Sequence, residues 1–291
     1  MRRRRGAQTP AERDLAAATL LVGAVERQVE LLRRQIDSQC RGSLDPETVH
    51  DQRVALRRLV TALRLMPGRG LSRARRRARA LLAALGEVRD LHVQLEWLSA
   101  SRRGAAARRM AEREGARLTR REGRAHAAAE RWARREAPRL ERRLHRLSRR
   151  ERAVSPAWKR VARGAVELER ALDGLAAELD PRRAHRARIL AKRLRYQVEV
   201  LRPLLGSAGV VALRRLTALQ TALGELHDLD VRLALISRAL RGARRGDRRG
   251  LERLSARVLV AREEQAVAVR RELGRWGEGV WWAKLRHALD L

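Results

Sequence analysis

The 291-residue chain carries 68 Lys+Arg against 34 Asp+Glu, a formal charge of +34, and a charge of that size seeks polyanions. Lys occurs at positions 159, 192 and 284 alone, so 65 of those cations are Arg. Aromatic residues are 2% of the chain, with no Phe and one Tyr, and Cys40 is the single cysteine. This argues against a β-sandwich or a base-stacking platform, and excludes an intramolecular disulfide or a Cys-based zinc cluster.

Apolar residues reach 44%, mostly Ala, Leu and Val, enough to bury a core in about two domains or one large helical unit. Near the N-terminus Glu12, Arg13 and Asp14 interrupt the run that follows Arg2 to Arg5, unlike a secretory signal, so a cytoplasmic location is expected. No apolar stretch approaches the roughly 20 residues of a membrane span.

Four helix starts stand out, each a capping residue followed by Pro at the first helical position: Thr9-Pro10, Asp45-Pro46, Ser155-Pro156 and Asp180-Pro181. Glu12 completes a capping box with Thr9. The first helix carries Leu15, Ala18, Val22, Val25, Val29, Leu32 and Ile36 at alternating spacings of three and four, a seam suited to bundle packing. The helix after Pro156 repeats that spacing through Trp158, Val161, Ala165, Leu168, Leu172, Leu175 and Leu179.

These starts and seams predict eight helices, over 10–40, 46–66, 71–101, 104–150, 156–179, 181–205, 208–241 and 247–289. Short connections such as Pro67 to Gly70 make neighbours antiparallel. The stretch 104–150 is dominated by Arg, with sparse large apolar positions and Pro138 within it; it is expected to be peripheral, and kinked or divided at the proline.

The two halves also match each other. Asp45-Pro46, His50, Arg53, Arg57, Arg58 and Leu59 correspond at a constant offset to Asp180-Pro181, His185, Arg188, Lys192, Arg193 and Leu194. Leu85 to Leu95 matches Leu223 to Leu233 at seven of eleven positions. An internal duplication accounts for both, giving halves at 10–150 and 155–290.

On a helical wheel His50, Arg53, Arg57 and Arg64 fall within about 60° of one another, beside the apolar face rather than opposite it. His185, Arg188, Lys192 and Arg195 form the equivalent stripe. Guanidinium forks pair bidentately with phosphate oxygens, and Lys192 adds a compact point charge. A basic face is commonly just a solvated face, but solvation does not dictate the same residue spacing twice. In the Leu-Gly-Glu segments, Gly86 and Gly224 allow close helix packing, and Glu87, Asp90, Glu225 and Asp228 can tether neighbouring arginines. The tryptophans at 97, 132, 158, 276, 281 and 282 avoid the stripes and read as packing or C-terminal anchoring residues.

His50-Asp51 and His227-Asp228 are the pairs on which a metal phosphohydrolase could be argued. Adjacent helix residues diverge by about 100° and the surrounding cations repel a metal, so this is the weakest reading. No G-x-x-x-x-G-K-[ST] loop, H-E-x-x-H or G-x-S-x-G motif occurs.

Taken together, the segments from His50 to Leu59, His185 to Tyr196 and Leu85 to Val93 resemble the signature of the conserved histidine α-helical domain, CHAD. The resemblance extends over residues 10 to 290. It implies an all-α fold of two pseudo-twofold-related four-helix bundles, and a basic surface that binds inorganic polyphosphate at polyphosphate granules. Carried over by position, the binding residues are His50, Arg53, Arg57, Arg58 and Arg89, with His185, Arg188, Lys192, Arg193 and Arg195. The first half departs from the pattern at Val60, where the second has Arg195. The E-x-E-x-K motif of the triphosphate tunnel enzymes often joined to this domain is absent, so a non-catalytic module without metal or cofactor is expected. Competing expectations are a nucleic-acid-binding protein and a scaffold whose Arg-rich 104–150 stretch grips an acidic protein.

Overall fold

A computed structural model describes residues 9–39, 44–66, 68–100, 104–147, 157–277 and 280–289. Helix is the regular secondary structure of the described residues, among which there is no strand. The elements are α1 (Pro10–Asp37), α2 (Pro46–Leu65), α3 (Arg69–Ala100), α4 (Ala105–Arg131), a π turn (Trp132–Glu136), α5 (Ala137–His145), α6 (Ala157–Leu172), α7 (Pro181–Arg241), α8 (Arg245–Gly277) and α9 (Trp281–Ala288).

Local chemistry sets the starts. Thr9 and Glu12 exchange hydrogen bonds, Thr9 N–H to Glu12 Oε2 at 2.8 Å and Glu12 N–H to Thr9 Oγ1 at 3.2 Å, the capping box expected for α1. Asp45 accepts from the Thr48 N–H at 2.8 Å, and Asp180 from the Arg183 N–H at 2.8 Å. The two basic stripes therefore begin from identically capped helices. Ser155-Pro156 and Cys40 lie outside the described residues.

The α1 seam faces the core from Ala18 to Ile36, while Leu15 is 47% exposed and stands off it. The helix expected over 156–179 stops earlier, at Leu172. Gly174 adopts a φ of 68°, a left-handed conformation that ends a helix at little cost for glycine. Leu175 and Leu179 are buried nonetheless, reaching the core from the turn that follows. The helix expected over 247–289 is two, α8 and α9. Trp276, Trp281 and Trp282 cluster where they meet, Trp276 and Trp281 edge to face with centroids 4.7 Å apart. Trp282 Nε1 donates to Glu169 at 2.7 Å, fastening the C-terminal helix to α6.

The described part of the stretch expected over 104–150, residues 104–147, is not peripheral. Ala125, Ala129, Trp132, Ala137, Leu140 and Leu144 are buried in the main core, and Ala106 and Met110 in a smaller cluster with Leu235, Ile236 and Leu254. Its apolar stripe is built largely from alanine, which a count of large side chains passes over. The helix is not divided: it runs on through a π turn that ends at Glu136, just before Pro138.

One main core runs through both halves, with Leu32, Leu56, Leu59 and Leu85 of the first alongside Val161, Leu168, Leu194 and Leu201 of the second. Each such side chain contributes about 1.5–3 kcal/mol by leaving water. Arg160 of α6 also reaches across, donating to the backbone carbonyls of Arg64 and Met66 at the end of α2.

The two helices expected over 181–205 and 208–241 are arms of α7, broken at Gly206, where φ is 56° and ψ is −135°. The arms return antiparallel: Arg195 meets Gln220 and His185 meets His227. The first arm packs against α2, and α3 completes the wall on the other side of α2. This places the two basic stripes next to each other.

Candidate anion-binding groove

Where α2, α3 and the first arm of α7 meet, a groove of about 810 Å³ opens to solvent. From α2 it takes Arg53, Arg57 and Arg64; from α3, Arg75, Arg79, Gly86, Glu87 and Asp90; from α7, Lys192, Arg193 and Tyr196. Seven cations thus face two carboxylates. Glu87 is further occupied by Arg121 of α4, at 2.7 Å.

Gly86 is what lets Arg53 enter. A Cβ at that position would stand 2.6 Å from Arg53 Nη1, so the guanidinium lies on the bare backbone of α3. At the matching place in the second half, Arg188 Nε is the nearest atom to a Cβ on Gly224, at 3.8 Å.

Burial, and after it the crowding of like charges, shows in the proton affinities. Burial, then Arg57, lowers the Arg53 pKa to about 10. Burial lowers Arg188 as well, with Asp228 opposing. Lys192 is pushed down to about 7 by burial and by Arg57, Arg188, Arg53 and Arg195. Four residues from two helices are therefore within electrostatic reach of one another: Arg53, Arg57, Arg188 and Lys192. An anion entering this field relieves repulsion as well as gaining hydrogen bonds.

The other expected binding residues are disposed differently. Arg193 is on the groove wall, 3.7 Å from Glu167 of α6. Arg58 pairs with Glu199 of α7 at 2.6 Å, a strut between helices. Arg195 donates to Gln220 at 2.8 Å and lies 4.4 Å over the Tyr196 ring. Arg89 is half-buried and acts electrostatically on Arg53 and His92. His50 is exposed beyond the groove lining. His185 faces His227, Nδ1 to Nδ1 at 3.4 Å, and burial with nearby Arg188 lowers the His227 pKa.

Of the carboxylates expected to tether arginines, Asp90 acts on Arg53 and Arg188, and Asp228 on Arg188. Two residues were missed by sequence reasoning, Arg75 and Arg79. Their signal was present: positions 75, 79, 82, 83, 86, 87 and 90 share one face of α3 at spacings of three and four. Arg64 belonged to the stripe but not to the inferred binding set. Among the described residues no group of three or more His, Cys, Asp or Glu side chains is placed to hold a metal, and no helix is long and apolar enough to cross a membrane.

An all-helical domain with a cationic groove between helical hairpins is the class that these observations define. A family profile for the CHAD domain matches residues 23–237, and the chain belongs to that family. Its fold is similar to the crystal structure of the CHAD domain from the plant Ricinus communis, with 25% identity and a TM-score of 0.62 over 88% of this chain and 91% of that one. It is also similar to PptA from Streptomyces chartreusis, with 16% identity and a TM-score of 0.64 over 90% and 99% of the two chains. No curated protein matches the chain.

Proposed function

We propose that the protein is a non-catalytic module that binds inorganic polyphosphate in this groove, in the cytoplasm at polyphosphate granules. The observation that carries the reading is the convergence of Arg53 and Arg57 from α2 with Lys192 and Arg193 from α7, Arg75 and Arg79 closing the α3 side. A linear chain of phosphates presents a negative charge at each repeat, which a row of guanidiniums on facing helices can follow. CHAD membership supports the choice of polyphosphate among polyanions. Tyr196, the aromatic residue of the lining, is 4% exposed and covered by Arg195, so it offers no face for a nucleobase.

Calorimetric titration with long-chain polyphosphate tests the reading. Arg53→Ala combined with Arg188→Ala weakens binding by at least tenfold, while Arg142→Ala with Arg146→Ala, exposed on and just beyond α5, leaves it within twofold. Equal losses from the two pairs mean that bulk charge alone is being read. Duplex DNA that displaces polyphosphate at equal phosphate equivalents assigns the groove to nucleic acid instead.

A further inference from the structure

Lysine is scarce here, and where it occurs is uneven. Lys159 and Lys284 are exposed and outside the groove. Lys192 is half-buried in the groove wall, with Arg53 and Arg57 on α2 and Arg188 and Arg195 on its own arm as its strongest electrostatic neighbours. Asp228 faces it from the second arm, and Arg75, Arg79, Glu87 and Asp90 line the opposite side of the groove.

A desolvated amine crowded by cations holds its proton weakly, and its free lone pair makes it a nucleophile near neutral pH. Burial, together with the field of those four arginines, brings the Lys192 pKa to about 7. Guanidinium does not substitute, because it stays protonated. The groove therefore joins one reactive amine to several phosphate-binding forks.

We propose that Lys192 is a site of covalent acylation by acyl phosphates, small anionic donors whose phosphate is held by the surrounding arginines. The proposal rests on the reading of the groove as a phosphate-binding surface. In the step, the Nζ lone pair attacks the carbonyl carbon and an N–C bond forms. The bond from that carbon to the phosphate oxygen breaks, inorganic phosphate departs with the electron pair, and the surplus amine proton passes to solvent. The product is a neutral amide, so acylation removes a cation from the polyanion's path. Bound polyphosphate and the acyl donor compete for the same groove.

Acetyl phosphate is the probe, applied to the full chain at pH 7.5, with modification at each lysine followed by mass spectrometry of Glu-C peptides. Lys192 is acetylated at least ten times faster than Lys159 or Lys284, and saturating long-chain polyphosphate removes the preference. Equal rates at the three lysines overturn the proposal. A parallel reaction with N-hydroxysuccinimidyl acetate, which carries no phosphate, gives a smaller preference for Lys192; an undiminished preference overturns the phosphate-directed step. Calorimetry on unmodified protein separates the two readings. Polyphosphate binding without a Lys192 preference sinks acylation alone, and a Lys192 preference without polyphosphate binding sinks the polymer reading alone.

Discussion

The Arg53 guanidinium rests on the backbone of Gly86, so close that a Cβ there would stand 2.6 Å from Nη1. The atom in the way is the far end of a flexible side chain, so Gly86→Ala displaces Arg53 instead of breaking the helix pair. Alanine in mid-helix even contributes up to about 1 kcal/mol relative to glycine. Polyphosphate affinity falls at least tenfold, in line with a charged hydrogen bond of about 1.5–3 kcal/mol, while thermal stability holds or rises. Gly224→Ala, whose Cβ would meet Arg188 Nε at an ordinary contact distance of 3.8 Å, binds as the parent does. Calorimetry and melting of both variants check this; matching losses would contradict it.

Arg57 and Arg58 are chain neighbours with opposite assignments. Arg57 lines the groove, whereas Arg58 is tied to Glu199 at 2.6 Å. Arg57→Ala lowers affinity by roughly fivefold to tenfold and leaves the melting temperature nearly unchanged. Arg58→Ala costs about 1 kcal/mol of stability, as expected for a partly exposed ion pair, and changes affinity less than twofold. Denaturant titration beside binding data distinguishes the two, and a reversed pattern refutes the placement.

Lys192 makes stability depend on pH in a definite direction. Its pKa is about 7 in the folded chain against an ordinary 10.5, so between those values the unfolded chain holds a proton that the folded chain does not. Stability therefore rises with pH across that window, and the cost of the buried ammonium is fully felt below pH 7. Lys192→Met raises the melting temperature at pH 6 by more than at pH 9.5. A difference of the opposite sign, or none, removes the depressed pKa.

Binding also takes up a proton. Phosphate oxygens beside Lys192 favour its charged form, so association at pH 8 absorbs protons and the apparent heat varies with the ionisation enthalpy of the buffer. In Lys192→Met that variation is reduced by about one proton per groove. Identical buffer dependence in the two proteins would assign the uptake to other groups.

The salt dependence counts the contacts. Affinity falls linearly with salt on a double-logarithmic plot as counterions return to the polymer. Loss of a groove cation such as Arg79 reduces the slope by about one. Loss of exposed Arg142 on α5 leaves it unchanged. Slopes that respond equally to both changes would mean that the groove has no privileged role.

Much of this arrangement is legible in the chain because its strongest signals are local. Asp-Pro caps and seams of three and four depend on neighbours in sequence, and Asp45, Asp180 and the α1 seam beyond Leu15 behave as local rules dictate. Two of the failures have a plain physical cause. Alanines 125, 129 and 137 bury a helix that looks polar, because small residues let helices approach without adding apparent hydrophobicity. The basic stripe divides by tertiary partners invisible in sequence: Glu199 claims Arg58, Gln220 takes Arg195, and Arg75 with Arg79 enters from a third helix.

The single-residue break at Gly206 carries a consequence for length variation. With no loop between the arms of α7, inserting or deleting one residue in the second arm ahead of Gln220 would rotate everything beyond it by about 100° and slide it by about 1.5 Å. His227 would leave His185, Gln220 would leave Arg195, and Asp228 would turn away from Arg188. Natural variants of this protein should therefore gain or lose residues at the joint between α7 and α8, where Gly242 to Arg244 separate two helices, and keep the spacing from Arg188 to Asp228 fixed.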